Sequence, residues 1–288
     1  MKILLIGYLG QLGADLRQAF AGEELVLLER EDLLVQDRAR VDAAVDEHRP
    51  DLILNCAAFH RVDDCEDQPE AAFDVNVFGV RNLAVAARRA NAVLVHFSTD
   101  YVFDGPRRTP YVESDAPCPT CIYAVSKAAG EMMLQAVWHK HFICRLCGLY
   151  GYAGSREKGT NFVEMMIGLA RQGKPLKVVD DQVLTPTSTT DVAAAVRRLA
   201  GTEAYGLYHL TNSGQCSWYE FARAIFEYAG LSPDLRPVPS AEFPTKAKRP
   251  NYSVLDNMRL RQVGFEDLPH WRDALQRYIR GRAVAGRV

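Results

Sequence analysis

The chain has 288 residues, a formal net charge of −2 and a hydrophobic fraction of 48%. This length can bury one large α/β domain with a smaller second one, and neither the charge nor the composition indicates disorder or a nucleic-acid footprint. The longest apolar runs are too short for a membrane span or a signal-peptide core. We therefore expect a cytoplasmic protein with a small-molecule partner, bound to neither nucleic acid nor membrane.

Seven cysteines, an odd count, indicate reduced thiols rather than a disulfide framework. Cys118-x-x-Cys121 and Cys144-x-x-Cys147 imitate the two halves of a zinc site. However, the second pair lies in an apolar run that predicts a strand, where residues three apart point to opposite faces. We therefore predict no metal site.

The first elements are a strand, a glycine-rich loop and a helix. The apolar run Lys2–Ile6 predicts a buried strand, and residues 14–20 continue as a helix. Such a loop lets the backbone approach a pyrophosphate, and the free N–H groups of the helix start favour the anion. The glycines follow a Gly-x-x-Gly-x-x-Gly spacing. The predicted dinucleotide contacts are Gly7, Gly10, Gln11, Leu12 and Gly13.

A second strand, Glu24–Leu28, delivers Glu29 and Arg30 to the expected position of the adenosine ribose. A carboxylate there accepts the 2′-hydroxyl of NADH, whereas an arginine suits the 2′-phosphate of NADPH. The sequence leaves these two cofactors open. Asp37 is a candidate partner for the adenine edge or, alternatively, a helix N-cap.

Alternating helices and strands continue to residue 147. We predict a helix over 38–48, a strand over 51–55, a long helix over 71–91 broken only by Gly79, and strands over 92–97 and 142–147. This order predicts a parallel, doubly wound α/β sheet, in which ligands bind beyond the carboxyl ends of the strands. Ala57 and Ala58 permit a close approach of the cofactor there, and Thr99 faces the same crevice.

Tyr123 and Lys127 lie four residues apart in a predicted helix and so share one face. A cation within roughly 4–6 Å lowers a phenol pKa by about 1–3 units, so we expect an acid–base pair that works near neutrality. The spacing alone is common on helix surfaces, so this interpretation depends on the rest of the chain.

The regular alternation ends after the fifth strand. We predict a dinucleotide-binding domain over residues 1–152, completed by about 186–228, and a substrate domain from 153–185 and 229–288. Within these ranges we expect a helix over 161–172, a strand over 176–179, a helix over 191–199, and a helix that Ser217 caps with Glu220 in a capping box.

Together, the glycine loop, Thr99 and Tyr123-x-x-x-Lys127 resemble the extended short-chain dehydrogenase/reductases, whose site pairs a Ser/Thr, a Tyr and a Lys with a nicotinamide cofactor. Further motifs at 98–105, 179–182, 208–212 and 249–256 resemble the dTDP-4-dehydrorhamnose reductases of that family. The likeness runs from Lys2 to about Ile279.

The resemblance implies an NAD(P)H-dependent oxidoreductase of dTDP-rhamnose and polysaccharide biosynthesis. Tyr123 would protonate the C4 carbonyl oxygen of a nucleotide-linked 4-keto-6-deoxy sugar, most directly dTDP-4-dehydro-L-rhamnose. Thr99 would hydrogen-bond that oxygen, and Lys127 would hold the nicotinamide ribose and keep the tyrosine proton mobile. Arg249 has a guanidinium fork that matches a diphosphate. The candidate substrate-binding residues are Val62, Asp100, Tyr101, Gly148, Asn161 and Arg249.

Three positions depart from the family pattern. Gly148 stands where relatives often have tryptophan, His60-Arg61 replaces a small pair, and Ala124 replaces a glycine. The redox chemistry is unaffected, but the sugar identity stays open. His60 either fills the space beside Gly148 or is an ordinary loop histidine.

Two other functions use a similar fold. A 4,6-dehydratase usually carries Asp-Glu after the threonine, whereas this chain has Asp100-Tyr101; a 4-epimerase belongs to the same group. A non-catalytic NADP-binding regulatory subunit, like the partner of methionine adenosyltransferase, is the third interpretation, and an intact Thr99, Tyr123 and Lys127 set weighs against it. The oligomeric state stays open, a homodimer included.

Overall fold

The computed structural model describes residues 1–154 and 159–282. A π-helical segment over Asp74–Gly79 joins α4 to α5, and a 3-10 turn over Asp100–Val102 follows β4. The elements of the first half are β1 (Lys2–Ile6), α1 (Gln11–Ala19), β2 (Glu24–Leu28), α2 (Arg38–His48), β3 (Leu52–Asn55), α3 (Val62–Asp67), α4 (Pro69–Phe73), α5 (Val80–Ala90), β4 (Val93–Thr99), α6 (Ile122–Val137) and β5 (His141–Leu146).

The second half contributes shorter strands and four longer helices among its described residues, with a 3-10 turn over Ser240–Glu242. Its elements are β6 (Leu149–Tyr150), α7 (Phe162–Arg171), β7 (Leu176–Val179), β8 (Val183–Leu184), β9 (Thr187–Ser188), α8 (Thr189–Leu199), β10 (Gly206–His209), β11 (Asn212–Ser213), β12 (Cys216–Ser217), α9 (Trp218–Ala229), β13 (Leu235–Val238), α10 (Met258–Gln262), β14 (Leu268–His270) and α11 (Trp271–Gly281).

Six strands of the described chain form one parallel sheet in the order β10-β5-β4-β3-β1-β2. Neighbouring residues of each strand face opposite sides, so Leu5 packs towards α1 and α8 whereas Leu4 packs towards α2 and α5. Both faces are therefore covered by helices. This arrangement confirms the predicted doubly wound α/β fold.

The region predicted as a long helix with a break at Gly79 is divided further in the structure. Pro69 begins α4 after a first short helix, and the π-helical segment interrupts the ladder before α5. Asn76 in that segment accepts from the Phe59 N–H (2.9 Å) and donates to the Phe59 carbonyl (3.0 Å). An apolar pattern does not reveal such a break, because these contacts join residues far apart in the chain.

A smaller unit packs around α7, α9, α11 and β7. Ser217 caps α9 in the predicted capping box with Glu220. The predicted sheet domain extends to about residue 228, but α9 buries Phe221 and Ile225 in the smaller unit's core. The amphipathic pattern of α9 shows that one face is buried but does not specify which of the two cores buries it.

None of the helices within the described ranges is long and apolar enough to cross a membrane.

Helix α6 approaches the π-helical segment at Gly130. A Cβ atom added at Gly130 would lie 2.2 Å from the backbone oxygen of Asn76, closer than real Cβ atoms come. The absence of a side chain therefore lets the two backbones pack tightly. This contact fixes how closely α6, which carries Tyr123 and Lys127, packs against the π-helical segment.

We expect Gly130→Ala to lower the free energy of unfolding by about 1–3 kcal/mol, because a backbone carbonyl must move. Gly168→Ala is the matched control, since Gly168 lies within α7 and its added Cβ would meet nothing within 4 Å. The control should raise stability by about 0.4–1 kcal/mol. Urea unfolding measures both, and equal effects of the two substitutions would contradict the close-packing argument.

Candidate active site

A cleft of about 1220 Å³ opens at the carboxyl edge of the sheet. The loops that follow β1, β3 and β4 line it, together with the start of α6. The predicted site residues that line this cleft are Gly7, Gly10, Gln11, Leu12, Gly13, Glu29, Arg30, Ala57, Ala58, Val62, Thr99, Asp100, Tyr101, Tyr123, Lys127, Gly148, Asn161 and Arg249.

The glycine loop has the geometry of a phosphate cradle. Gly7 has a φ of +79°, and a Cβ at Gly13 would lie 2.1 Å from the Gly7 oxygen, so the first turn of α1 packs directly on the loop. The Gln11 side-chain oxygen is buried without a hydrogen-bond partner among the described residues. Exposed backbone at a helix start, with a spare polar atom beside it, fits a dinucleotide cofactor.

Glu29 and Arg30 both line the adenosine end of the cleft. Glu29 is buried, and its Oε1 accepts from the Leu9 N–H at 2.6 Å, so this carboxylate also holds the glycine loop. The exposed side chain of Arg30 brings a positive charge to the same end of the cleft.

Asp37 lies outside the lining of the cleft. It is the N-cap of α2, and its Oδ1 accepts from the Arg40 N–H at 3.2 Å. Of the two interpretations of Asp37, the structure therefore shows the helix N-cap.

Thr99 ends β4 and is buried beside Asp100. Its hydroxyl donates to Asp100 Oδ1 (3.1 Å) and accepts from the Tyr101 N–H (3.2 Å). Burial raises the pKa of Asp100, against the lowering effect of hydrogen bonds from Ser253, Cys147 and Thr99. The threonine hydroxyl is therefore held in one orientation at the floor of the cleft.

Tyr123 lines the cleft together with Thr99, and its ring lies edge-on to Tyr101 with 6.0 Å between centroids. Burial raises the pKa of Tyr123, and the Asp100 carboxylate raises it further. The expectation that Lys127 lowers this pKa is therefore wrong for this structure. A phenol with a raised pKa stays protonated at neutral pH, so Tyr123 carries the proton that a general acid has to donate.

Lys127 is buried, with 1% of its surface exposed. Its Nζ donates to the Phe97 carbonyl at 2.6 Å and lies 3.3 Å from Nε2 of His96. Burial lowers the pKa of Lys127 to about 8. The side chain thus points to strand β4, which explains why it does not act on the Tyr123 phenol as the sequence suggested.

The opposite wall of the cleft carries Arg249. Its Nη2 donates to Asp63 Oδ2 at 2.9 Å, whereas its Nη1 is buried without a hydrogen-bond partner among the described residues. Burial would raise the pKa of Asp63, but hydrogen bonds from the Ala247 N–H and Arg249 hold that pKa below its usual value. One arm of the guanidinium is therefore anchored by Asp63, and the other has a donor that no described residue accepts.

The fold constrains two of the predicted substrate-binding positions, Asn161 and Gly148. Asn161 caps α7 through Oδ1 and donates through Nδ2 to the Gly151 carbonyl and the Tyr278 hydroxyl. Gly148 has a φ of +53°, and a Cβ there would lie 2.8 Å from Cδ1 of Leu184. A side chain at position 148 would therefore be both strained and crowded.

Sequence reasoning missed an aromatic pair that lines the cleft. Phe162 and Trp218 lie with ring centroids 4.6 Å apart, at the N-terminal ends of α7 and α9. His60, half-buried, lines the same cleft. The sequence does place an aromatic residue directly after each of two helix N-caps, Asn161 and Ser217. This local pattern does not show that the two helix ends come together in the fold.

The cysteine pairs do not come together. Cys144 packs in the core near α1 and α8, whereas Cys147 faces the Phe103 side and its Sγ donates to Asp100 Oδ2 at 3.1 Å. Cys118 is exposed in its loop, and all seven cysteines are free thiols. Among the residues with assigned structure, no group of three or more metal-ligating side chains is positioned to hold an ion.

We expect Lys127→Met to stabilise the fold at pH 7. The unfolded chain holds this proton up to the ordinary lysine pKa of 10.5 and the folded chain only to about 8, so burial of the ammonium costs most below pH 8 and is relieved as the pH rises. The gain should be about 1–3 kcal/mol at pH 7 and should fade towards pH 10.5.

Urea unfolding at several pH values measures this gain, with the exposed Lys174→Met as control. A pH-independent difference between Lys127→Met and the unchanged chain would contradict the lowered pKa.

Comparison with known proteins agrees with this geometry. The profile of the RmlD substrate binding domain family matches residues 1–283. The chain is 39% identical to the spore coat polysaccharide biosynthesis protein SpsK of Bacillus subtilis, over 99% of both chains.

Two solved structures are similar over nearly their whole length. A dTDP-4-dehydrorhamnose reductase from Clostridium acetobutylicum superposes with a TM-score of 0.93 at 40% identity, covering 97% of this chain and 99% of the other. A dTDP-4-dehydrorhamnose reductase from Bacillus anthracis in complex with NADP has a TM-score of 0.91 at 38% identity, covering 96% of each chain. The chain therefore belongs to the RmlD substrate binding domain family, which has the extended short-chain dehydrogenase/reductase fold.

Proposed function

We propose that this chain catalyses NAD(P)H-dependent reduction of the C4 ketone of a nucleotide-linked 4-keto-6-deoxy sugar, with dTDP-4-dehydro-L-rhamnose as its substrate. The observation that carries the proposal is the convergence of Thr99 and Tyr123 on the same cleft as the glycine loop. The relatives named as dTDP-4-dehydrorhamnose reductases support the substrate class, and the NADP complex of the Bacillus anthracis protein supports NADPH.

The proposed chemistry divides between the cofactor and this chain. When bound, the nicotinamide supplies a hydride to the carbonyl carbon. Tyr123 donates its proton to the carbonyl oxygen, and its raised pKa means that it carries that proton at neutral pH. Thr99 positions the same oxygen in this proposal by turning its one hydroxyl hydrogen from Asp100 Oδ1 to the carbonyl oxygen. The glycine loop and Arg30 hold the phosphates and the adenosine end.

The substrate end of the cleft accounts for nucleotide and sugar binding. In this proposal Nη1 of Arg249, which has no partner among the described residues, binds the diphosphate, and Asp63 keeps the guanidinium in place. Phe162 and Trp218 form an aromatic wall in place of a side chain at Gly148. Val62, Asp100 and Tyr101 complete the sugar pocket in this proposal, together with His60.

The convergence of Thr99, Tyr123 and Lys127 in one cleft favours an enzyme over a regulatory subunit. We also propose a cytoplasmic location, which the free thiols of all seven cysteines support. A homodimer stays a prediction.

We expect Tyr123→Phe to keep NADPH affinity within about twofold and to lower kcat by about 10²–10⁴-fold, because only the proton donor is removed. Loss of nicotinamide absorbance on addition of dTDP-4-dehydro-L-rhamnose measures turnover, and fluorescence titration measures affinity. Tyr219→Phe, outside the cleft, should behave as the unchanged chain. Full turnover by Tyr123→Phe, or no oxidation of either NADPH or NADH by the unchanged enzyme, would refute the proposed function.

We expect Arg249→Gln to weaken binding of dTDP by about tenfold or more, because a charged hydrogen bond to phosphate is lost. NADPH affinity should not change, since the described contact of Arg249 is with Asp63 and not with the glycine loop. Arg236→Gln is the control, as Arg236 is exposed and pairs only with Asp234 among the contacts described. Isothermal titration with dTDP measures both variants, and equal affinities would place the diphosphate elsewhere.

A further inference from the structure

Side chains of the cleft wall hold both oxygens of the Asp100 carboxylate. The Thr99 hydroxyl donates to Oδ1 at 3.1 Å, and the Cys147 thiol donates to Oδ2 at 3.1 Å. Asp100 and Cys147 are buried, with 4% and 1% of their surfaces exposed, and both line the cleft. The carboxylate that orients Thr99 is therefore fixed at its other oxygen by a thiol.

Ser253 completes this group from the second half of the chain. Its Oγ lies 3.8 Å from Cys147 Sγ, and its backbone N–H donates to the Val183 carbonyl at 2.9 Å, so β8 fixes its position. The thiol has one hydrogen, and an ionised carboxylate can only accept, so that hydrogen goes to Asp100 Oδ2. The Ser253 hydroxyl must then be the donor in its contact with the sulfur.

Hydrogen bonds, and not a paired cation, support the charge of Asp100 among the described residues. Burial raises the pKa of Asp100, and the hydrogen bonds from the three side chains named above act against that rise. The titratable groups that its charge reaches are neutral at pH 7, because burial raises the pKa of each: Tyr101, Tyr123 and Cys147. Arg249, whose charge also reaches Tyr101, is paired with Asp63.

The proposed reaction changes the number of donors on this carboxylate. Thr99 turns its one hydrogen from Asp100 Oδ1 to the ketone oxygen, whereas the thiol stays on Oδ2. Without the thiol, fewer donors would remain for a buried charge, and the carboxylate would hold the Thr99 hydrogen more tightly. The hydrogen bond from Thr99 to the ketone would then be weaker.

We propose that Cys147 and Ser253 are positioning residues that hold Asp100 at its Oδ2 side, so that Thr99 can turn its hydrogen to the ketone. The effect on turnover rests on the proposed reductase activity. The hydrogen bond from the thiol to the carboxylate does not depend on that activity.

Infrared spectroscopy of the full chain tests the thiol contact without substrate. The S–H stretch absorbs apart from other protein bands and moves to lower frequency when the hydrogen is donated to a charged acceptor. The Cys147 band is the one that Cys147→Ser removes, and Cys144→Ala identifies the band of a buried thiol in the apolar core. We expect the Cys147 band at lower frequency than the Cys144 band, and Asp100→Asn should raise it.

A Cys147 band at or above the frequency of the Cys144 band would overturn the proposal. So would a Cys147 band that folded Asp100→Asn leaves in place. If Asp100→Asn does not fold, the order of the two bands in the unchanged chain still decides whether the thiol donates to the carboxylate.

Turnover tests the positioning role. We expect Cys147→Ala to lower kcat/KM for dTDP-4-dehydro-L-rhamnose by about tenfold, because a hydrogen bond to a charged group is lost, and to keep NADPH affinity within about twofold. Cys147→Ser retains a donor and should recover kcat/KM to within about threefold of the unchanged chain. Ser253→Ala should lower kcat/KM less than Cys147→Ala does. Cys144→Ala, the control, should lower stability without changing kcat/KM.

Full turnover by Cys147→Ala, or equal losses in Cys147→Ala and Cys147→Ser, would refute the role of the thiol. If Cys147→Ala does not fold, Ser253→Ala decides the role, and an unchanged kcat/KM in that variant would refute it. If the unchanged enzyme oxidises neither NADPH nor NADH, the proposed function fails while the infrared result stands, so the two proposals fail separately.

Discussion

The hydrogen bond from Lys127 Nζ to the Phe97 carbonyl joins the catalytic helix to the strand that carries Thr99. Because Thr99 follows Phe97 by two residues and Tyr123 precedes Lys127 by one turn, this contact ties together the two elements that carry the Thr99 and Tyr123 hydroxyls. The cost is the burial of an amine, which lowers its pKa. The same burial raises the pKa of Tyr123, so one constraint determines both the geometry and the protonation of the site.

Backbone packing at two glycines supports this arrangement. Gly13 lets α1 pack on the Gly7 carbonyl at the cofactor end, and Gly130 lets α6 pack on the Asn76 carbonyl beneath the catalytic pair. At both places a Cβ atom would come within about 2 Å of a carbonyl oxygen, so a side chain is excluded by sterics. The cleft therefore has rigid walls of backbone where chemistry requires a fixed geometry.

The substrate wall is assembled differently, from segments that are distant in the chain. Phe162 and Trp218 meet through two helix ends, and Arg249 is held by Asp63 from the first half of the chain. None of these side chains belongs to the central sheet. Changes in this wall can therefore alter the sugar that fits while the hydroxyl pair at the sheet edge stays in place, which agrees with the unusual Gly148 and His60.

The order of strands and helices, the glycine loop and the same-face spacing of Tyr123 and Lys127 were determined by the sequence alone, because each depends on neighbours within a few residues. The bounds of β1, β2 and α2 were likewise predictable. Only the tertiary structure decided the π-helical break at Asn76, the core that α9 joins, the cap role of Asp37 and the direction of the Tyr123 pKa shift. Burial and hydrogen-bond partners govern these properties, and both come from residues that are far apart in the sequence.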